Sequence, residues 1–184
     1  MAGSSMMIDL VTDHPIMLKK VYKTRPVPIH WQYPAKYLID SLVSDGVIEV
    51  FDETSDWVSP DFFVPKPNGK VRLVTDFSHL NNFINRPVHH FPSSGQIIQN
   101  IPNGSKFFAK LDAMQGYHQV PLAEECRHLM TFLVPWGKYC YLRGSMDLKS
   151  TNDIFWAKSG RVICDLPCCQ KIVDDILVSA SSQP

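Results

Sequence analysis

Two adjacent acids, Asp174 and Asp175, stand inside a run that is otherwise apolar and largely β-branched, with Ile172-Val173 before them and Ile176-Leu177-Val178 after. Such a run builds strands, and a charged side chain within it is costly to bury unless it is paired or bound. The stretch therefore reads as a hairpin whose turn only Asp174-Asp175 can supply. Neither residue is Gly or Asn, so a tight turn that wants φ > 0 is expensive for its shape, and costly turns collect at sites. A hairpin tip can present at least one carboxylate to a cation. A metal site is one reading, and a surface turn with two solvated acids is the other.

Composition narrows what surrounds this hairpin. The chain has 184 residues, 45 % of them hydrophobic, enough for a real core in one domain or two small subdomains. Eighteen basic and eighteen acidic residues cancel, so any basic footprint for a polyanion must be local. No apolar run approaches the length of a membrane span, and Met1–Met7 lacks the regions of a signal peptide. The expectation is a soluble intracellular protein, in cytoplasm or nucleus, with no membrane partner. The five cysteines lack paired zinc-type spacing, and the seven histidines show no ligand spacing, so reduced thiols and ordinary histidines are expected.

Along the chain, residues 1–30 carry no periodicity, and Pro15, Pro26 and Pro28 keep them extended, as a strap lying on something else. Pro34 reads as a first helical position, with Leu38, Ile39, Leu42 and Val43 on one face and Gly46 after the last turn. Phe62-Phe63-Val64 and Val71–Val74 flank Pro67-Asn68-Gly69-Lys70, a hairpin signal. A two-residue Asn-Gly loop would pair Lys66 with Val71 and place Lys66 opposite in face to Lys70 and Arg72. A three-residue loop with Gly69 left-handed would pair Lys66 with Arg72 on one face. Only the second makes a two-cation clamp for a phosphate chain, and the plainer role is cations that keep a ribbon soluble. Ser93 or Ser94 can cap a helix bearing Ile97, Ile98 and Ile101, stopped by Pro102-Asn103-Gly104.

Phe107–Leu111 reads as a buried strand that runs into Asp112, beyond which Ala113–Tyr117 turns or starts a helix. An acid at a strand end is commonly a helix cap. Here it recurs: one acid ends an apolar strand and a pair sits at the tip of another. Two such strands side by side would gather oxygen ligands suited to magnesium, and paired ions would hold the attacking and leaving oxygens of a phosphoryl transfer. Thr131–Val134 and Tyr139–Leu142 form a further hairpin around Pro135-Trp136-Gly137, and Lys149–Asn152 can cap a helix through Phe155 and Trp156.

Taken together, several stretches resemble the reverse transcriptases of gypsy-type long-terminal-repeat retrotransposons, over roughly residues 13–180. They are Trp57–Pro60, Val64-Pro-Lys-Pro-Asn-Gly-Lys-Val-Arg-Leu-Val-Thr-Asp-Phe77, Leu80-Asn81, Phe107-Phe-Ala-Lys-Leu-Asp-Ala-Met-Gln-Gly-Tyr-His-Gln-Val-Pro-Leu122 and Ile172–Asp175, in the family's order. The resemblance implies an α+β, right-hand polymerase fold: fingers plus a partial palm, with an antiparallel sheet backed by helices and no thumb. The strap would cover 1–30, mainly fingers 31–106, palm with an intervening fingers segment 107–180, and a tail 181–184. It implies that Asp112, Asp174 and Asp175 are the catalytic acids, holding two Mg²⁺ ions (Mn²⁺ as substitute) together with Val173. Lys66 and Arg72 would grip the triphosphate, Tyr117 would stack under the sugar, and Ala113, Met146 and Asp147 would complete the nucleotide site. The implied partners are an RNA or DNA template with primer and dNTPs.

Three departures stand out. Asp147 occupies the family's glycine position, placing a negative charge toward a polyanionic site. Ile172 replaces the usual tyrosine before x-Asp-Asp. The thumb, connection and ribonuclease H parts of a polyprotein lie outside the 184 residues, so little activity is expected of the chain alone. The competing reading is a catalytically inactive, retrotransposon-derived domain that binds nucleic acid or protein.

Overall fold

A computed structural model describes residues 4–11, 20–67, 69–86, 92–166, 168–172 and 174–182. In chain order, helix α1 (Ile29–Ser44) precedes strands β1 (Ile48–Val50), β2 (Val58–Ser59), β3 (Asp61–Pro65) and β4 (Val71–Thr75). Helices α2 (Ser78–Asn81) and α3 (Ser94–Gln99) lead to β5 (Phe107–Asp112). Two 3₁₀ turns, Gly116–Gln119 and Glu124–Met130, come before β6 (Thr131–Val134) and β7 (Gly137–Tyr141). Helix α4 (Lys149–Ile163) and the strands β8 (Cys169–Ile172) and β9 (Asp175–Ala180) close the chain. These elements form two compact units, residues 1–86 with 117–151, and residues 87–116 with 152–184.

The first unit holds a four-stranded sheet in the order β1-β7-β6-β2 and the separate ribbon β3-β4. Phe77, Phe132 and Tyr141 make its aromatic centre, with ring centroids 5.9 Å apart for Phe77–Tyr141 and 5.1 Å for Phe132–Tyr141. Helix α1 packs on β4 and β1 and buries Ala35, Ile39 and Leu42. Its end follows from Gly46: at φ +62° the glycine lets Val47 N–H reach Leu42 O (2.9 Å) and Gly46 N–H reach Val43 O (3.0 Å), the Schellman closure. The helix begins earlier than Pro34, at Ile29 behind the N-cap Pro28, so Pro34 lies inside it. The stretch before Pro34 carries exposed Ile29 and Tyr33, which gave no apolar periodicity to read. Residues 4–11 run against the same unit: Met6, 1 % exposed, donates to Pro121 O (2.7 Å) and accepts from Ala123 N–H (2.9 Å).

The second unit is built on a three-stranded antiparallel sheet in the order β5-β9-β8. Helix α3 opens with a capping box, Ser93 Oγ accepting from Gln96 N–H while Gln96 Oε1 accepts from Ser93 N–H, and it buries Ile97. Strand β5 corrects the sequence expectation of burial. All six of its residues are exposed, because it is an outer strand with β9 as its ladder partner and both its faces open. Among the described residues no helix is long and apolar enough to cross a membrane.

Candidate active site

The second unit gathers the three acids. Asp112, the last residue of β5, pairs with Asp175, the first residue of β9, and Ile172 pairs with the same Asp175 across the β8–β9 hairpin. The strands therefore close at Ile172 and Asp175, so Asp175 belongs to the ladder and not to the turn that the sequence suggested; Val173 lies outside the described residues. This register puts Asp175 in the ladder opposite Asp112 and leaves Asp174 at the tip. Ala113 N–H donates to Asp174 O at 3.2 Å, so the backbone beyond Asp112 is tied to the tip itself. Asp112 is exposed, and Asp174 and Asp175 are half-buried.

Lys110 is a member of this cluster that the sequence reading passed over. It lies two positions before Asp112 on one strand, hence on the same face, and its Nζ is 2.8 Å from Asp175 Oδ2. The hydrogen bond to Asp175 raises its pKa above the ordinary lysine value, helped by the charges of Asp175, Asp112 and Asp174, while desolvation opposes. An internal ammonium here shows where a cation is favoured. The cluster is thus three carboxylates at one end of the sheet with Lys110 as their internal counter-ion. Among the described residues no group of three His, Cys, Asp or Glu side chains stands close enough together to hold a metal ion.

The first unit holds the remaining candidates. The β3–β4 ribbon pairs Pro65 with Val71 and Val64 with Arg72, and Lys66 N–H donates to Lys70 O at 2.7 Å. Neither expected register occurs. Lys66 faces Lys70, and Gly69 is left-handed at φ +73°, while Asn68 lies outside the described residues. Because alternate residues share a face, Lys66, Lys70 and Arg72 still line one side of the ribbon, with Lys66 and Arg72 as diagonal neighbours.

Arg72 reaches Met146, its Nη1 3.9 Å from the Met146 sulfur. Asp147 does not simply aim a bare charge outward: its Oδ2 accepts from Phe77 N–H at 2.8 Å, ahead of α2. Its carbonyl accepts from Asn81 Nδ2 (2.7 Å), and Asn81 Oδ1 in turn accepts from Lys149 N–H (3.0 Å). Asp147 is thus wired through Asn81 to the start of α4. Tyr117, half-buried in its 3₁₀ turn, is held from behind by Gly144, where an added Cβ would lie 3.0 Å from Tyr117 O and collide with Thr151. The close-approach glycine of this segment is Gly144.

Residues 64–165 match the family model described as reverse transcriptase (RNA-dependent DNA polymerase). The chain belongs to the reverse transcriptase family. Among curated proteins, this reverse transcriptase segment is 31 % identical over 167 residues to the retrovirus-related Pol polyprotein from transposon opus of Drosophila melanogaster, covering 85 % of the chain and 16 % of that protein. It is 31 % identical over 153 residues to the Pol polyprotein from transposon gypsy of the same fly, covering 79 % and 14 %. The gypsy-type reading of the sequence therefore holds. The crystal structure of prototype foamy virus protease–reverse transcriptase superposes with a TM-score of 0.81 at 25 % identity, over 95 % of this chain and 23 % of that one. The reverse transcriptase fold expected from the motifs is the fold observed. The chain spans about a sixth of the length of the first of these curated relatives.

Proposed function

We propose that this chain is the nucleotide-binding and metal-binding part of an RNA-directed DNA polymerase, adding dNTPs to a primer by two-metal nucleotidyl transfer. The observation that carries the reading is the Asp112–Asp175 pairing beside the Asp174 tip, in a chain of this family. Asp112, Asp174 and Asp175, together with Val173, would hold two Mg²⁺ or Mn²⁺ ions. Such ions, when bound, lower the pKa of a primer 3′-hydroxyl and neutralise charge on the leaving pyrophosphate. Lys66 and Arg72 bind the triphosphate, Arg72 in a fork and Lys66 as a point charge. Tyr117 rejects ribose by packing a flat ring where a 2′-hydroxyl would project. Ala113, Met146 and Asp147 complete the nucleotide site. The unit carrying the acids corresponds to palm, and the β3–β4 ribbon to fingers. A template with primer is the macromolecular partner, and the remaining polymerase parts come from a polyprotein.

The test is Mn²⁺ binding to the purified chain in the presence of dNTP and primer-template, comparing wild type with Asp112→Asn and Asp174→Asn. Loss of about ten-fold or more in affinity in both variants places the two acids in one site. Binding indifferent to both changes overturns the reading and leaves a nucleic-acid- or protein-binding domain that keeps the fold.

A further inference from the structure

Strand β8, which leads into the Asp174 tip, is the outer strand of its sheet and is held by one ladder, to β9. An outer strand with one ladder frays or slips more easily than a central one. In the middle of β8 stands a lysine that is only 7 % exposed, Lys171. Burial pushes it down to about 8, with the Asp174 charge acting the other way, so an ammonium in this place is costly. A leucine would fill the same space more cheaply.

The charge is nevertheless fully used. Lys171 Nζ donates to Trp156 O (3.2 Å), to Phe155 O (3.5 Å) and to Ser159 Oγ, and the Ser159 hydroxyl itself donates to Phe155 O. These are three acceptors for the three protons of an ammonium. The rings of Phe155 and Trp156 lie with centroids 4.8 and 4.5 Å from Nζ, within cation–π range. Phe155 then carries the contact onward. Its ring is 1 % exposed and so close to Gly116 that a Cβ there would lie 2.7 Å from Phe155 Cζ and 3.0 Å from Cε2. Gly116 sits in the turn that follows Asp112, where its N–H donates to Ala113 O at 3.1 Å. One ring thus touches the segment behind Asp112 and the lysine that precedes the acid pair.

We propose that Lys171 is a positioning residue, which locks the outer strand β8 onto helix α4 through Phe155, Trp156 and Ser159 and so holds the Asp174 tip and Asp175 in register with Asp112. Directional donors explain why a cation stands here: an aliphatic side chain would tolerate sliding of the strand, whereas three hydrogen bonds to one helix do not. The metal readout below rests on the polymerase reading, and the exchange readout does not.

The experiment uses the full chain with Lys171→Met, which keeps a flexible apolar stem, and Lys171→Arg, which keeps donors and ring contacts. Amide hydrogen exchange over residues 169–180 is expected to accelerate about ten-fold in Lys171→Met while α1 amides keep their rate, and Mn²⁺ affinity to fall about ten-fold. Lys171→Arg is expected to restore both to within about three-fold of wild type. Ser159→Ala, a milder cut, is expected to speed hairpin exchange about three-fold, and it serves in place of Lys171→Met if that variant does not fold. Hairpin exchange unchanged in Lys171→Met, or accelerated equally in α1, overturns the proposal, as does unchanged exchange in Ser159→Ala. If wild-type Mn²⁺ binding ignores Asp112→Asn and Asp174→Asn, the polymerase reading fails instead, and the exchange rates alone decide the role of Lys171.

Discussion

Asp112 and Asp175 stand directly opposite each other across the β5–β9 ladder. Side chains so paired have Cβ atoms about 5 Å apart, a distance at which two carboxylates repel. The Lys110 ammonium, 2.8 Å from Asp175 Oδ2, relieves that repulsion from within the chain. A divalent ion arriving at the acids must therefore compete with, or displace, a cation that the fold itself supplies.

Lys110→Met should consequently tighten Mn²⁺ binding about three-fold at low salt, the scale of an exposed ion pair. The gain should shrink as salt screens the acids, over a Debye length of about 10 Å at 0.1 M. Electron paramagnetic resonance titration of free Mn²⁺ reads both quantities. Weaker binding in the variant would mean that Lys110 orders the acids and does not compete for them.

Asp147→Gly, the change to the glycine that the resemblance implies at this position, removes the acceptor for Phe77 N–H. The loss should cost about 1–2 kcal/mol, the scale of a hydrogen bond to a charged group at a partly open site plus added chain entropy. Asp147→Asn keeps an acceptor oxygen and should retain most of that stability while deleting the charge. Urea melts separate the two. If the carboxylate also repels a triphosphate, dNTP affinity rises in Asp147→Asn as well as in Asp147→Gly.

Gly144→Ala should destabilise the first unit by about 2 kcal/mol, because its Cβ would press on a backbone oxygen, Tyr117 O, as well as on Thr151. Thr151→Ala on this background relieves the side-chain half of the clash only. A double-mutant cycle should show a favourable coupling of about 0.5–1 kcal/mol with the Tyr117 contact still uncompensated.

These sites show where reading from residues stops. The acid pair, the Asp112 strand end, the Gly46 helix stop and the Ser93 cap were legible because each rests on local chemistry. Registers were not: the hairpin around Asn68-Gly69 pairs one or two residues, and that around Asp174 two residues, away from the expected partners, since a turn motif limits but does not choose which residues face each other. Burial of Phe107–Leu111 was misread because an apolar run does not say which strands flank it. Strand β1 gave too short a signal, three residues, to be seen at all. Lys110, Gly144 and Lys171 matter through contacts distant in sequence or through a shared strand face, and only the last of these relations, Lys110 with Asp112, has a period that a sequence displays.

Asp61 supplies the pH dependence. It is 4 % exposed on β3, and burial lifts its carboxyl from 3.8 to about 7, against a backbone hydrogen bond and the Arg25 charge, which pull it down. A carboxyl raised in the fold binds its proton more tightly there than in the unfolded chain. Its contribution to stability is therefore complete below the unfolded value and is lost as pH rises through about 7. Between pH 5.5 and pH 8.5 this one group should remove about 2 kcal/mol, counting ~1.4 kcal/mol for each pH unit up to the folded value. Asp61→Asn, neutral throughout, should flatten that slope and be the more stable protein at pH 8.5. Urea melts at the two pH values give the slope directly. A wild-type stability that does not fall over this interval would mean that Asp61 ionises in place at its ordinary value, with Arg25 offsetting the burial.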